Sequence, residues 1–397
     1  MLAVLAVVSL IGGIAVFSFS AHKDSLDFSE FYAAAQMVRE GLGNNLYDLA
    51  VQAQFQSKFA AVHAFYLRPS FEVLLFLPFT YVGYRTAYTL WTVLNLVLLV
   101  VVVSLIESRT KISLAVSQYA RIRADAGLVL IIFVTFAPTT TCLLIGQDSI
   151  LILLIYTIVF VMLRLGAEFR AGCVLACGLF KFHLIIPFVI ILLLRRRWPA
   201  IKGFAAVGSL LILITIAISG VGVLREYPRV LLFDSPYRQI MGFNPEFTPN
   251  IRGLLYLLEK GRPASHIFGW LTAIFSVLAL WWAAKNCRDD RFEWSFSASL
   301  LATVLASYHL YNYDLTLLLL PIAIVCGELA QRMRLLSDNR ILTAALVILF
   351  LPGIHFFLLT QAIYALMSIP ILVLFFIVCG LPTPISQGKE TPVLRGT

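Results

Sequence analysis

Apolar residues in this chain come in long unbroken runs separated by short polar interruptions, instead of the three- and four-residue spacing of a half-buried helix. A helix that crosses a bilayer needs ~20 mostly apolar residues. Runs that meet or approach this fall at 1–20, 87–106, 128–145, 150–165, 203–223, 267–284, 296–308, 315–326, 341–359 and 363–379. Two stretches break the pattern. Residues 70–83 are short and follow a long polar loop, and 171–194 is interrupted by Lys181 and His183. The first run lacks the positive n-region of a secretory signal and reads as an uncleaved first span.

Composition closes off the soluble alternatives. The 397 residues are 60 % hydrophobic and 13 % charged, with a mean hydropathy of +0.91. Soluble domains carry about 25 % charge, so half the usual charge cannot cover a soluble surface of this size. The net charge of +9 does not indicate nucleic acid, because the basic residues are not clustered on a soluble face. They sit between apolar runs, at Arg195-Arg196-Arg197 with Lys202, at Lys285, Arg288 and Arg291, and at Arg332, Arg334 and Arg340. That distribution follows the positive-inside rule. The six cysteines form no Cys-x-x-Cys pair, so neither a zinc site nor a disulfide framework is expected. The expectation is one all-α polytopic membrane domain over 1–380, with a long first outer loop at 21–69 that carries amphipathic helices. A disordered cytoplasmic tail follows at 381–397.

The same rule sets the orientation. With the N-terminus inside, 21–69 is outside, and the loop 107–125, with Arg109, Lys111, Arg121 and Arg123, is inside. An odd number of crossings must join them, yet two apolar segments intervene, so 70–83 is either re-entrant or interfacial or marks a failure of the rule. Arg164 and Arg170 precede 171–194 and Arg195–Arg197 follow it. Both ends therefore look cytoplasmic, which predicts two half-helices meeting near Lys181-Phe182-His183. Such a turn is tolerated at membrane depth where protein or a wet cavity surrounds it.

Four segments hold the unusual polar residues: Asp24 to Tyr32 with the helix after it, ended by Gly41; Gly146-Gln147-Asp148; Lys181 and His183; and Tyr308 to Asp314. The spacing of Asp27, Glu30 and Phe31 places both carboxylates on one helical face if the helix starts early. Asp24 is an equally good cap for that helix. Gln147 and Asp148 read most simply as a cap for the span that starts near Ile150.

In ordered pieces, the chain resembles the polyprenyl-phosphate-mannose-dependent mannosyltransferases of glycosyltransferase family 87, with the GT-C membrane fold. The pieces are Asp27-Phe28…Tyr32, Gly41…Tyr47-Asp48, Arg68-Pro69…Leu77-Pro78, Leu90-Trp91…Asn95, Gly146-Gln147, Lys181-x-His183 before Arg195-Arg196-Arg197-Trp198, Asn250-x-Arg252-Gly253 and His309…Tyr313-Asp314…Pro321. The family's Pro-Pro near Arg68-Pro69 and Lys-Pro near Lys181-Phe182 are altered here.

The resemblance implies a GT-C-like bundle of about 10–13 transmembrane or re-entrant helices. It also implies inverting transfer of a hexose, mannose in the family, from a lipid monophosphate donor to a hydroxyl of a glycolipid or glycan on the extracytoplasmic face of a bacterial plasma membrane. An attacking alcohol needs a carboxylate within reach of its proton. Asp27 is the first choice for this base, followed by Asp24 and Glu30. The leaving phosphate calls for cations near the interface: Lys181 first, then Arg252 and Arg68, with His183 and His309 as further donors. Tyr32, Gln147, Tyr311 and Asp314 join Asp24 and Glu30 as candidate sugar or acceptor contacts. No cofactor, no metal and no nucleic-acid partner is expected. A transporter or flippase of lipid-linked sugars is the competing class, although the broken stretch at 171–194 has no counterpart in the second half.

Overall fold

A computed structural model of the chain describes residues 27–59, 65–120, 123–231, 244–259, 266–331 and 340–380. The expected first span, Asp24, Arg332, Arg334 and the tail 381–397 lie outside the described residues. Among the described residues every regular element is helical. Five segments are long and apolar enough to cross a membrane, or seven if each of two bent pairs is one span, and three more apolar helices are shorter. The chain is an all-α polytopic membrane protein.

The described part of 21–69 forms two α-helices. Helix α1 (Phe28–Arg39) buries Phe28, Phe31 and Tyr32 and stops where Gly41 takes φ +81 and Leu42 N–H returns to the Met37 carbonyl at 2.8 Å. A left-handed glycine closing a helix in this way is a common C-terminal stop. Helix α2 (Leu49–Gln56) is capped by Asp48, whose carboxylate accepts from Ala50 N and Val51 N.

Residues 70–81 are shorter than the ~20 apolar residues a spanning helix needs. They break into three short turns, Ser70–Glu72, Val73–Phe76 and Leu77–Tyr81; the second and third pack on α1, while Ser70 in the first accepts from Ser219 Oγ at 2.7 Å. Phe76 stacks on Phe31 with ring centroids 4.5 Å apart, Tyr32 Oη donates to the Val82 carbonyl at 2.7 Å, and Arg39 donates to the Thr80 carbonyl. Between 69 and 107 the segment long and apolar enough to cross is α3 (Tyr84–Thr110), which at ~1.5 Å per residue is about 40 Å long.

The expected span at 128–145 is bent by 69° between α4 (Ala126–Thr135) and α5 (Ala137–Ile145). Phe136 takes extended backbone there, and Pro138 at the start of α5 has no N–H to continue the ladder. After α5, Gly146 adopts φ +74, and a Cβ on it would lie 2.6 Å from the Phe28 Cβ. Only glycine fits this turn, which leads into α6 (Ser149–Arg164).

Glu168–Leu194 has the length and apolarity of one 27-residue span, but its ends meet. It consists of α7 (Glu168–Cys177), a turn at Gly178–Lys181, and α8 (Phe182–Leu194). Arg197, three residues past α8, pairs with Glu168 at the start of α7 at 2.6 Å. Helix α9 (Trp198–Ser219) then runs alongside α7 so closely that a Cβ on Gly172 would lie 1.8 Å from the Ala200 carbonyl oxygen, and one on Gly203 2.0 Å from that of Phe169. Such small-residue contacts let helix backbones touch. A straight helix would hold its ends about 40 Å apart, so the segment is a re-entrant hairpin with Lys181 at its tip, as the basic residues at both ends predict.

One edge of the bundle gathers the charges at the far ends. Arg164 meets Glu293 at 3.3 Å and the Arg109 carbonyl at 2.9 Å, while Arg195 and Arg197 both pair with Asp289. The polar site lies toward the other end of α3, where Trp91 Nε1 donates to the Gly146 carbonyl at 2.9 Å.

Candidate active site

Five separate elements bring their polar residues to one place: α1, the 68–72 turn, the Gly146–Ser149 link, the hairpin tip and the 307–314 segment before the helix Leu319–Gln331. The site has a sealed inner tier and a half-open outer tier.

Lys181 is the centre of the inner tier. Only 2 % exposed, it pairs with Asp148 Oδ1 at 2.8 Å and Asp314 Oδ1 at 2.6 Å, and it donates to Ser149 Oγ at 2.6 Å. Ser149 Oγ in turn donates to Asp314 at 2.8 Å, and the Tyr311 backbone N–H fixes the other Asp314 oxygen at 3.1 Å. The Tyr313 ring covers the ammonium at 5.0 Å. Burying one charge costs several kcal/mol unless it is paired and hydrogen-bonded, and here every member of the set is.

Arg68 links the two tiers. Its guanidinium meets Asp148 at 2.5 Å, Glu72 at 3.2 Å and Glu30 at 3.9 Å, lies over the Phe31 ring at 4.8 Å, and donates to Gln147 Oε1 at 2.8 Å. The Gln147 amide then donates to Asp27 Oδ2 at 2.8 Å. Asp148, for which helix capping is the simpler expectation, makes no cap hydrogen bond; its carboxylate is drawn between Arg68 and Lys181 instead. Asp27 sits at the N-terminus of α1 but does not cap it either.

Asp27 and Glu30 are the carboxylates of this group that keep some exposure, whereas Glu72, Asp148 and Asp314 are sealed. Burial pushes both exposed carboxyls upward, with Arg68 opposing: Asp27 above the usual carboxylate range, and Glu30 to about 8. The half-buried histidines lie across the site. His183 Nδ1 is 2.9 Å from Ser307 Oγ, the His183 and His309 rings meet edge to face at 5.6 Å, and His309 lies 4.7 Å from the Tyr311 ring. Burial lowers His309 to about 4, so near neutral pH it is an uncharged donor and acceptor. Arg252 stacks over the Tyr308 ring at 4.3 Å, beside Asn250, whose amide donates to the Ser307 carbonyl at 2.6 Å.

Of the residues singled out from sequence, Asp27, Glu30, Arg68, Gln147, Lys181 and Asp314 form one connected network. His183, His309, Tyr311 and Arg252 form a second group beside it. Tyr32 points elsewhere, into an aromatic cluster with Phe59 and Tyr84. Asp24 lies outside the described residues. Glu72 and Ser149 went unnoticed in sequence, although a carboxylate inside the apolar stretch 70–83 was a signal. The acids Asp148 and Asp314 do converge, on an ammonium; among the described residues no three His, Cys, Asp or Glu groups stand together as metal ligands.

A helical membrane protein with a carboxylate-centred polar site of this kind has the parts of a membrane-embedded group-transfer enzyme. The family model described as glycosyltransferase family 87 matches residues 66–308, more than half of the chain, and the chain belongs to that family. It is a membrane glycosyltransferase. The matched region contains Arg68, Gln147, Lys181, His183 and Arg252 and stops short of Asp27, Glu30, His309, Tyr311 and Asp314. No curated protein and no solved structure matches the chain.

Proposed function

We propose that this glycosyltransferase moves a hexose, mannose by the family resemblance, from a polyprenyl-phosphate donor to a hydroxyl of a glycolipid or glycan on the extracytoplasmic face, within a GT-C-like bundle. Transfer inverts the anomeric centre, with Asp27 as general base, and requires no cofactor beyond the donor substrate. The observation that carries this reading is the setting of Asp27. Its Oδ2 is held by Gln147 while Oδ1 receives no hydrogen bond from a described residue, and the side chain is partly exposed. A carboxylate so placed has one oxygen for an incoming alcohol's proton.

The placement of the cations revises the phosphate site. Arg68 and Lys181 are already answered by the carboxylates of Asp148 and Asp314, so neither offers much attraction to a further anion. Donor phosphate contact then falls to Arg252 and the His183–His309 pair, where a guanidinium gives a fork of donors and neutral imidazoles give directed hydrogen bonds.

The test is a transfer assay on the purified protein in lipid, with polyprenyl-phosphate sugar and candidate acceptors, wild type against Asp27→Asn. Loss of a general base lowers the rate roughly 10²- to 10⁴-fold. Unaltered transfer in the variant sinks the base assignment, and movement of lipid-linked sugar across the bilayer without transfer favours the flippase alternative.

A further inference from the structure

We propose that Gln147 and Arg68 are positioning residues for the transfer: Arg68 locks the Gln147 amide, and the locked amide holds Asp27 with one oxygen turned toward the acceptor. This rests on the reading of Asp27 as the base and adds to it the device that sets its geometry.

The amide of Gln147 has one workable orientation. Its Oε1 accepts from Arg68 at 2.8 Å and its Nε2 donates to Asp27 Oδ2 at 2.8 Å. Flipping the amide would set donor against donor at the guanidinium and acceptor against acceptor at the carboxylate. Arg68 cannot drift away from this arrangement, since Asp148, Glu72, Glu30 and the Phe31 ring hold it on its other sides. The backbone contributes as well. Gly146 at φ +74 aims the Gln147 side chain between α1 and the 68–72 turn, and the Gln147 backbone N–H is tied to the Cys142 carbonyl at 2.9 Å.

Gln147 is 2 % exposed, which leaves little of it for a sugar hydroxyl and separates this role from that of a substrate contact. Both of its side-chain ends are occupied by protein groups. The hydrogen bond it gives favours the ionised form of Asp27, the form a base needs. The other titratable groups around Asp27 are Glu30 on the same helix, Arg68, Asp148 and Lys181 across the site, and Tyr311 and Tyr313 from the segment before Leu319–Gln331.

The experiment compares full-length wild type with Gln147→Leu, Arg68→Lys and Asp27→Asn in lipid. Polyprenyl-phosphate mannose serves as the donor probe and octyl α-mannoside as the acceptor probe. In Gln147→Leu, kcat near neutral pH is expected to fall roughly 10- to 100-fold, the worth of a hydrogen bond to a charged group. The acid limb of the pH profile moves upward, activity recovers toward alkaline pH, and KM for both substrates stays unchanged. Arg68→Lys, which keeps the charge but loses the fork, moves the limb in the same direction. A raised KM with an unmoved limb, or a loss independent of pH, overturns the positioning role.

Infrared titration of the Asp27 carboxyl, isolated as the difference between each protein and its Asp27→Asn counterpart, reads the same shift without turnover. An unshifted midpoint in Gln147→Leu overturns the proposal even if the probe sugar is not accepted. Should Gln147→Leu not fold, Gln147→Glu keeps the shape and the Arg68 contact, places a like charge beside Asp27, and must raise the midpoint further. Full transfer by Asp27→Asn itself removes the base reading, a result distinct from every outcome above.

Discussion

Replacing Lys181 by methionine tests whether its ammonium holds the fold together or waits for a substrate. The change keeps most of the side-chain volume and removes the charge that Asp148 and Asp314 share. The two acids are not left in equal difficulty. Asp148 retains Arg68 at 2.5 Å, whereas Asp314, 2 % exposed, keeps only the Ser149 hydroxyl and the Tyr311 N–H. The loss therefore amounts to one orphaned buried carboxylate, about 3–5 kcal/mol. In a chain of this length that is a fall of roughly 4–6 °C in melting temperature, followed by tryptophan fluorescence in detergent. Adding Asp314→Asn neutralises the orphan and is expected to restore more than half of the fall. An unchanged melting point in Lys181→Met, with a raised KM for the lipid-linked donor, would refute the structural role and return Lys181 to the phosphate. Strictly additive losses in the double variant would refute the pairing.

Two further outcomes follow from the packing and the charges. Gly172→Leu drives a side chain into the Ala200 carbonyl and is expected to cost about 3 kcal/mol or more by forcing α7 from α9, read as a lower melting temperature; an unchanged value would mean that these helices do not touch. Glu30 has a folded-state value near 8 against 4.5 unfolded. The native state thus binds the proton more tightly, and its contribution to stability is full below about pH 4.5 and lost as pH rises toward 8. Glu30→Gln, fixed in the neutral form, is expected to lose less melting temperature than wild type across that window, by roughly a few degrees, and parallel curves would contradict the assignment.

The features legible in sequence were those set by local chemistry or by long charge patterns. The glycine stop of α1 is written in Gly41, and the hairpin in the arginines at both of its ends. The bend at Phe136 was less visible because hydropathy is alike on either side; Pro138 was its one mark. Apolarity leaves 70–83 open between a re-entrant and an interfacial segment; Phe76 packs on the aromatic face of α1, a partner that periodicity cannot name. Asp148 was read as a cap because a cap needs only its neighbours, whereas its actual partners are Arg68, 80 residues earlier, and Lys181. A lysine in an apolar stretch marks itself as needing an anion. What sequence could not supply was that two protein carboxylates already answer it.

The hairpin also constrains how the protein is made. Its arms, 10 and 13 residues long, are about 15 and 20 Å and so too short to cross a ~30 Å hydrocarbon core alone. They must enter together, carrying the lysine at the tip. Asp148 has by then been synthesised, but Asp314 lies 133 residues downstream. At ~5–20 residues per second, roughly 7 to 27 s of translation separate the lysine from its second partner. Of the partners of Lys181, Asp148 and Ser149 precede it in the chain, and Asp314 completes the inner tier last. Completion of the inner tier thus waits on a residue in the last quarter of the chain.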